Sequence, residues 1–438
     1  MNQILGTGQE VKVETATVTV EKLLGGGTQG EVYQVKLDGK PMALKWFKQN
    51  MATPEQRDII EILVKKGPPT PNFLWPRYMA TSTTMAGFGY LMNLRAPNYN
   101  SLEDLMNRRV KTKFKTLARA CRELADNFRM LHSQGLCYRD INFGNVFFEP
   151  TTGEILICDN DNVGVQGQSE AQVAGTPRFM APEIVREEAS PSTQTDLFSL
   201  AVLLFYMLFI HHPLEGKKEN EIRCLDLAAM RKLYGYEPIF IFDPKDHSNE
   251  PVPGEQDNPL IYWGIYPLFL KALFTRAFTD GITDAQNGRV RETEWVNTMV
   301  GLENSIFPCI NCKRENFYDA EALKNSGGTP GHCWNCKKEL QYPFRIRLGR
   351  NIIMLNADTK LYPHHLDNHR AFDFSQPLAE VSPHPRDPSV FGLKNLTVQN
   401  WTLTNNKGEI SNVEPGRSAL LANGSKINFG ALEGEIRY

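Results

Sequence analysis

The feature that most constrains this chain is a series of short motifs in a fixed order between residues 25 and 183. The series runs through a glycine-rich segment at Gly25–Val32, a lysine at Lys45, the segment Tyr138–Asn145, Asp159 and Ala181–Glu183. Any one of these motifs occurs easily by chance, whereas all of them in one order and spacing do not. The series as a whole, and no single motif, therefore carries the interpretation of this part of the chain.

The glycine-rich segment and the lysine both suit the binding of phosphate groups. The segment reads G-x-G-x-x-G-x-V through Gly25, Gly27, Gly30 and Val32, between two predicted strands. Glycines allow backbone amides to close over phosphates without side-chain clashes. Lys45 lies thirteen residues beyond Val32 on the next predicted strand, Met42–Phe47, within reach of α- and β-phosphates. The simpler alternatives are a plain glycine-rich hairpin and a solvated strand lysine.

The later motifs bring acidic residues and an asparagine into the series. Asp140 and Asn145 lie five residues apart, Asp159 follows a predicted short strand, and Gly175-Thr176-Pro177 precedes Ala181–Glu183. With these residues the sequence resembles the eukaryotic-like protein kinase family, over about residues 14–303. The resemblance implies an α+β, bilobal protein kinase fold. Its N-lobe would span about 14–93 and its C-lobe about 98–303, within a kinase domain at 1–303.

The resemblance also implies a role for each polar residue near the reaction. Asp140 would accept or orient the proton of the substrate hydroxyl, and Thr176 would help to align the substrate. Asn145 and Asp159 would hold Mg²⁺, with Asp161 as the alternative metal ligand. In-line phosphoryl transfer needs mainly positioning and charge neutralisation, which these residue types supply. The Gly-Thr-Pro form favours serine or threonine as the phosphoacceptor.

The ATP site follows from the same resemblance. Lys45 would hold the ATP phosphates and pair with a helix glutamate, for which Glu61 is preferred and Glu55 is the alternative. The adenine pocket and hinge would fall at Met92–Leu94. The implied ATP-binding residues are Gly25, Gly27, Gly30, Val32, Ala43, Lys45, Glu61, Met92, Asn93 and Leu94.

Other charged residues would support the larger lobe without touching substrate. Glu183 and Arg289 would form a structural ion pair, and Asp196 would brace the catalytic loop. Arg139 would pair with a phosphorylated residue of the activation segment, for which Ser169 is a candidate; the alternative for Ser169 is an ordinary loop serine.

The sequence departs from the family pattern at three places. Tyr138 replaces the usual histidine, and Asn142 replaces a lysine that contacts the γ-phosphate in many Ser/Thr kinases. Asp159-Asn160-Asp161 stands where Asp-Phe-Gly is expected. Asn142 and the segment Asp159–Asp161 support the alternative of a pseudokinase that acts as a nucleotide-binding scaffold. The retained Lys45, Asp140, Asn145 and Asp159 oppose it. A small-molecule kinase of the aminoglycoside type is a third reading, which Ala181–Glu183 opposes.

Four cysteines beyond the kinase-like part form a second strong pattern. Cys309-x-x-Cys312 and Cys333-x-x-Cys336 have twenty residues between the inner pair. Two such pairs at this spacing predict a four-thiolate, closed and therefore structural zinc site, in a zinc ribbon at 304–342. The rival interpretation, two redox pairs, is disfavoured because no βαβ pattern surrounds them.

The remaining segment, 343–438, predicts an all-β sandwich. Leu393–Phe429 resembles the second half of a forkhead-associated domain, although no Ser-Arg-x-x-His run is present. A degenerate, protein-binding version is preferred, with true phosphothreonine binding and another β fold as alternatives. The order of modules resembles the bacterial kinases of the TerY-type triads. That resemblance implies a signalling or stress/defence role, with a von Willebrand factor A-domain protein and a PP2C-type phosphatase as partners.

Composition and charge exclude several other classes of protein. Lys and Arg number 48 and Asp and Glu 50, a net charge of −2, which argues against a broadly basic nucleic-acid binder. The longest apolar run, Leu197–Ile210, has 14 residues, fewer than the roughly 17–25 that a bilayer span needs. Met1–Val20 has no signal-peptide pattern, and eight cysteines are too few for a disulfide scaffold. A cytoplasmic location is therefore expected.

The sequence thus predicts an ATP-dependent Ser/Thr protein kinase that acts on protein hydroxyls, its own among the candidates. Its expected cofactors are ATP, Mg²⁺ and structural Zn²⁺.

Overall fold

The computed structural model of the chain describes residues 3–165 and 175–438. These residues form two compact units. The first comprises Met1–Thr112, Arg119–Tyr262 and Ala272–Val296, and the second comprises Lys113–Ala118, Trp263–Lys271 and Asn297–Tyr438.

The first unit begins with six strands and one helix. The elements are β1 (Glu10–Val13), β2 (Ala16–Gly26), β3 (Gly30–Leu37), β4 (Lys40–Phe47), α1 (Pro54–Lys66), β5 (Tyr78–Thr81) and β6 (Phe88–Asn93). The strands close into a barrel in the order β1-β2-β3-β4-β6-β5. Alternate residues of β1 and β2 point into the barrel core, where Val11, Val13, Val18 and Val20 are buried.

The near-alternating run Val11–Val20 predicts one strand, and this prediction is wrong. The run is a hairpin of β1 and β2, because Glu14 adopts the left-handed conformation with φ 48° and reverses the chain. Pro54 and the following Gly67-Pro68-Pro69 predict a helix at Glu55–Lys66, and α1 confirms this prediction. Thr53 caps α1 by accepting a hydrogen bond from the Gln56 N–H, and Gly67 follows its last turn with φ 74°.

The chain then becomes mainly helical. The elements up to residue 305 are β7 (Asn100–Ser101), α2 (Leu102–Met106), α3 (Phe114–Ser133), β8 (Leu136–Cys137), β9 (Val146–Phe148), β10 (Ile155–Ile157), β11 (Gly164–Val165), α4 (Pro182–Val185), α5 (Thr193–Phe209), α6 (Lys217–Asn220), α7 (Leu227–Met230), α8 (Asp257–Ile265), α9 (Leu268–Phe278), α10 (Asp280–Thr283) and α11 (Glu292–Ser305). Short 3₁₀ segments lie at Asn160–Asn162, Pro177–Phe179 and His247–Asn249, and a π-helical segment lies at Arg231–Tyr236.

Helix α5 forms the centre of the larger lobe. All of its residues from Thr195 to Phe209 are buried, which explains why its sequence is apolar on every face. Of the helices in the described ranges, none is both long and apolar enough to cross a membrane.

The second unit is mainly β-structure. Its elements after residue 305 are β12 (Ile306–Pro308), β13 (Glu315–Phe317), α12 (Ala320–Asn325), β14 (Arg345–Leu348), β15 (Asn351–Met354), β16 (Lys360–Leu361), α13 (Pro363–Leu366), a 3₁₀ segment (Asn368–Arg370), β17 (Ala379–His384), β18 (Asp387–Asn395), β19 (Trp401–Thr404), β20 (Ile410–Val413), β21 (Ser418–Leu420), β22 (Lys426–Asn428) and β23 (Glu433–Arg437). One sheet has the order β15-β14-β23-β22-β19-β20 and another β16-β17-β18-β21. Buried side chains of both sheets, Trp401 among them, form one hydrophobic cluster.

The compact units do not follow the domain boundaries expected at 303/304 and 342/343. The cysteine-containing segment shares a hydrophobic cluster with Met354 of β15, so this cluster extends across the expected boundary at 342/343. Phe114, far away in sequence, packs on Phe317 and Trp334 with ring centroids 5.1 and 6.0 Å away. Burial of large side chains groups these segments by contact and not by their order along the chain.

Candidate active site

Lys45 lies on β4 in the barrel of the first unit and points into a buried cluster of polar groups. Its side chain is only 5% exposed. The ammonium Nζ donates to both carboxylate oxygens of Asp161 at 2.9 Å, to Asp159 Oδ1 at 3.3 Å and to Gln29 Oε1 at 3.2 Å. Burial by itself would lower the pKa of Lys45, but the two carboxylates outweigh it and hold the pKa above its usual range. Lys45 is therefore a buried cation with fixed partners.

The expected pairing of Lys45 with Glu61 is not what the structure shows. Within the described part of the chain, Lys45 has no contact with Glu61. The Glu61 carboxylate instead accepts from Arg57 Nε at 3.0 Å, one helical turn away on α1, and remains 39% exposed. The buried face of α1 carries Ile60 and Leu63, so the helix packs through apolar residues and leaves Glu61 at the surface.

The glycine-rich segment forms the turn between β2 and β3 above Lys45. The Gly27 N–H donates to the Gly30 carbonyl at 2.9 Å. A side chain at Gly30 would place its Cβ 2.4 Å from the Trp46 carbonyl oxygen, so close strand pairing requires glycine there. At Gly25 and Gly27 the same Cβ would meet nothing within 4 Å, which leaves open space along the turn.

The residues predicted for the adenine end lie on facing strands. Ala43 of β4 is directly opposite Met92 of β6, and Val32 of β3 is opposite Lys45. Met92 is buried, whereas Asn93, at the end of β6, is exposed and accepts from Arg77. Leu94 follows the strand and is half-buried.

Asp140 lies in the loop between β8 and β9, where four donors converge on it. Its Oδ1 accepts from the Thr176 N–H at 3.2 Å, the Thr176 hydroxyl at 3.1 Å and Asn142 Nδ2 at 3.0 Å. Asn145 Nδ2 donates to the Asp140 backbone carbonyl at 2.9 Å and to Oδ2 at 3.3 Å. The structure therefore brings together Asp140, Asn145 and Thr176, which the sequence places up to 36 residues apart.

Helix α5 holds the backbone of this loop through the side chain of Asp196. Asp196 accepts from the Tyr138 N–H at 2.5 Å and from the Arg139 N–H at 3.0 Å, which is the bracing expected from the sequence. Arg139 takes a positive φ of 75° at this point. Tyr138 packs edge-on against Phe128, with ring centroids 5.5 Å apart, and its hydroxyl donates to the Cys158 carbonyl.

Two residues under the loop were missed by the sequence analysis. His132 Nε2 lies 3.1 Å from Asp196, and its Nδ1 contacts the Glu292 carboxylate. Burial would lower the pKa of His132, but hydrogen bonds to Asp196 and Glu292 raise it to about 9. The sequence feature that could have indicated His132 is its position on the apolar face of α3, four residues after Phe128. The expected Arg289–Glu183 ion pair is also present, at 2.7 Å.

Asp159 and Asp161 lie on the same short segment in different environments. Asp159 takes a left-handed conformation with φ 48°, and its side chain is 43% exposed. Burial of part of this residue and the neighbouring Asp161 carboxylate raise the pKa of Asp159 against the opposing effect of Lys45. The Asp161 side chain is fully buried and also accepts from the Tyr90 hydroxyl at 3.0 Å. Tyr90, a tyrosine in a buried strand, was not anticipated from the sequence.

The donor set around Asp140 and Asp159 suits Mg²⁺. The amide nitrogen of Asn145 is taken by Asp140, so the amide oxygen is the atom left for a metal. The Asp159 carboxylate is half-exposed and could supply the second oxygen ligand. Oxygen ligands of this kind, with water and phosphate completing the shell, are those that Mg²⁺ prefers. Ser169 lies outside the described residues.

The four predicted cysteines meet in the second unit. Their Sγ atoms all lie within 4.8 Å of one another, with Cys309 to Cys336 at 3.7 Å and Cys312 to Cys333 at 3.6 Å. Burial would raise the pKa of the Cys333 thiol, but the N–H groups of residues 335 and 336 lower it to about 6. Four Sγ atoms this close together can hold a metal ion, which binds the thiolate form of cysteine.

The two cysteine pairs adopt the same local geometry. Lys313 and Lys337 follow the second cysteine of each pair with φ 61° and 59°. In each pair, the N–H of that lysine donates to the carbonyl of the first cysteine at 2.9 Å. The two turns thus present their thiols in equivalent ways.

Comparison with known proteins gives one family. The protein kinase domain model matches residues 18–256. Serine/threonine-protein kinase STE20 of Saccharomyces cerevisiae is 26% identical over 217 residues, which are 48% of this chain and 21% of that protein. Protein kinase C delta type of Mus musculus is 28% identical over 216 residues, 47% of this chain and 31% of that protein. The chain thus spans less than a third of the length of these relatives.

Proposed function

The chain belongs to the protein kinase family, and we propose that it transfers the γ-phosphoryl group of ATP to serine or threonine hydroxyls of proteins. The observation that carries this proposal is the Asp140 carboxylate, fixed by Thr176 and by two asparagines of its own loop. A fixed carboxylate at this point can accept the proton of an attacking hydroxyl. That hydroxyl oxygen bonds to the γ-phosphorus as the bond to the ADP oxygen breaks.

The other residues of the site position the phosphates for this step. Lys45 holds its ammonium group between Gln29 of the glycine-rich turn and Asp161. The turn at Gly25–Gly30 has open space along it for a phosphate chain. Asn145 and Asp159 would hold Mg²⁺, which neutralises phosphate charge when bound. Transfer of this kind depends mainly on position and electrostatics, so precise holding of Asp140 and Lys45 matters most.

The test is phosphorylation with γ-labelled ATP and Mg²⁺, with the chain itself and a generic basic protein as acceptors. Asp140→Asn keeps the size of the side chain and removes the proton acceptor. We expect label on Ser or Thr with the unchanged protein and a loss of about 10²–10⁴-fold with the variant. Equal transfer by both proteins would refute the role of Asp140.

A second function is favoured by one observation. Asn142 Nδ2 donates to Asp140 and approaches the Thr176 hydroxyl at 3.3 Å, and it offers no positive charge to a γ-phosphate. A nucleotide-binding scaffold does not need a positive charge at the position of Asn142. ATP binding by calorimetry without transfer to any acceptor, including after addition of partner proteins, would favour the scaffold.

For the four cysteines, we propose structural zinc. Zinc–sulfur bonds of about 2.3 Å in a tetrahedron separate the sulfurs by about 3.8 Å, close to the 3.6 and 3.7 Å found here. Four thiolates leave no ligand position for a substrate. Metal analysis of the purified chain tests this proposal, and a chain that binds no zinc would refute it.

For the C-terminal strands and the partners, the proposals rest on sequence and topology together. The six-stranded and four-stranded sheets around one cluster support a forkhead-associated-like sandwich that binds protein. The order of modules supports partnership with a von Willebrand factor A-domain protein and a PP2C-type phosphatase in a bacterial signalling or stress system. Co-purification of the chain with candidates of these two classes tests the partnership.

A further inference from the structure

We propose that Asp161 is the positioning residue for Lys45, in the place that a carboxylate of helix α1 was expected to occupy. The inference rests on the proposed phosphoryl transfer and concerns which element sets the position of the phosphate-binding lysine. We assign the positioning of Lys45 to the segment that carries Asp159 and Asp161 and to strand β6, and not to helix α1.

The first argument is the environment of the Asp161 carboxylate. Its side chain has no exposed surface, and the Lys45 side chain is 5% exposed. Both Asp161 oxygens lie 2.9 Å from Lys45 Nζ, and Oδ1 also accepts from the Tyr90 hydroxyl at 3.0 Å. A buried charge is retained only with a well-aligned partner, and removal of one partner leaves the other uncompensated. Lys45 and Asp161 therefore depend on each other.

The second argument is the contact that α1 makes with this pair. Gln56, in the first turn of α1, donates its Nε2 to the Asp161 backbone carbonyl at 3.3 Å. The helix thus contacts the backbone that carries the lysine partner through a neutral amide. Its carboxylate at Glu61 is engaged with Arg57 at the surface.

The third argument is that the two aspartates differ in their exposure and in the number of donors they already accept from. The Asp161 oxygens already accept from two buried donors, so they have little capacity left for a metal. Asp159 is 43% exposed and touches Lys45 only at 3.3 Å, which leaves most of its carboxylate open. Of the two alternatives for the metal ligand, this geometry favours Asp159 and gives Asp161 a separate function.

A fourth contact extends the arrangement to the glycine-rich turn. Gln29 accepts from Lys45 with Oε1 and donates with Nε2 to Asn162 Oδ1 at 2.9 Å. The glycine-rich turn and the segment that carries Asp161 are therefore joined both directly, through Gln29 and Asn162, and through Lys45. This contact gives Lys45 a further fixed partner that does not belong to α1.

The experiment compares three carboxylate-to-amide variants of the full chain: Asp161→Asn, Glu61→Gln and, as a matched exposed control on α1, Asp58→Asn. Because displacement of a positioning group by about 1 Å can cost about 100-fold in rate, we expect Asp161→Asn to lower kcat by that order. We expect Glu61→Gln and Asp58→Asn to stay near the unchanged protein. A loss with Glu61→Gln that equals the loss with Asp161→Asn would overturn the proposal.

A second readout does not need activity. The fall in thermal midpoint caused by Asp161→Asn is measured in the unchanged chain and in a Lys45→Met background. If the two side chains stabilise each other, the fall is smaller in the Lys45→Met background; an equal fall in both would refute the pairing. If Asp161→Asn does not fold, Tyr90→Phe replaces it, and it must lower kcat more than Glu61→Gln does. Absence of transfer by the unchanged chain would contradict the proposed function, whereas the thermal comparison would still decide on the pair.

Discussion

The buried histidine beneath the catalytic loop gives a prediction whose size follows from the structure. His132 has carboxylates at both ring nitrogens, so both nitrogens must donate and the ring carries a positive charge. Its pKa is raised from 6.5 to about 9. At about 1.4 kcal/mol per pKa unit, a group that is charged in the folded protein and titrates normally in the unfolded chain contributes about 3 kcal/mol. Because the folded pKa is the higher one, this contribution is complete below about pH 6.5 and is lost as the pH rises through about 9.

The perturbation is His132→Gln, which keeps a hydrogen-bonding side chain and cannot take up a proton. Other buried groups, including Cys137 and Cys158 with raised pKa values, also titrate in alkaline solution. The quantity to measure is therefore the difference in stability between the two proteins as a function of pH. Hydrogen exchange of peptides that cover the end of α3 and the catalytic loop reports the opening free energy of this region alone.

We expect the unchanged protein to lose about 3 kcal/mol relative to His132→Gln between about pH 6 and about pH 10. Because Asp196 contacts both His132 and the loop backbone, phosphoryl transfer should decline over the same range. A stability difference that does not depend on pH would refute the doubly bonded imidazolium and the reasoning built on it.

Three other outcomes are expected. Asp140→Asn should lower transfer by about 10²–10⁴-fold and leave ATP affinity nearly unchanged by calorimetry; equal loss of both would remove its role as proton acceptor. Cys309→Ser should release zinc, as measured by elemental analysis, and should speed hydrogen exchange in the segment after Phe307. An unchanged zinc content would contradict the four-thiolate site. Gly30→Ala should lower stability by about 1–3 kcal/mol in chemical unfolding because its Cβ meets the opposite strand, whereas Gly27→Ala should not; similar effects of the two would show that the strand contact does not matter.

The arrangement around Lys45 bears on the interpretation of the departures from the family pattern. The segment Asp159-Asn160-Asp161 lacks the phenylalanine and glycine expected there, yet it forms a compact 3₁₀ turn at Asn160–Asn162. That turn buries Asp161 against the lysine and leaves Asp159 half-exposed. The change in sequence thus accompanies a change in which residue neutralises Lys45, and it does not by itself imply loss of activity.

The sequence alone determined the features that depend on residue type and short spacing. Glycines at fixed intervals, an aspartate and asparagine five apart, and two Cys-x-x-Cys pairs are set by local geometry, and the structure places each set together. The bounds of α1 were also accessible, because a proline at the first helical position and a glycine at Gly67 act within one turn of the helix.

The tertiary structure decided which of several available carboxylates meets Lys45. The sequence indicates Glu61, or else Glu55, as the partner, and it offers Asp161 only as an alternative metal ligand. Asp161 lies 116 residues away from Lys45 along the chain. The choice depends on how α1 packs: Ile60 and Leu63 are buried, which turns Glu61 outward. The same reason explains the pairing of His132 with Glu292, 160 residues apart, and the packing of the cysteine segment on Met354 of β15. Burial of apolar surface fixes these distances, and polar partners are then those that the packing brings within hydrogen-bond reach.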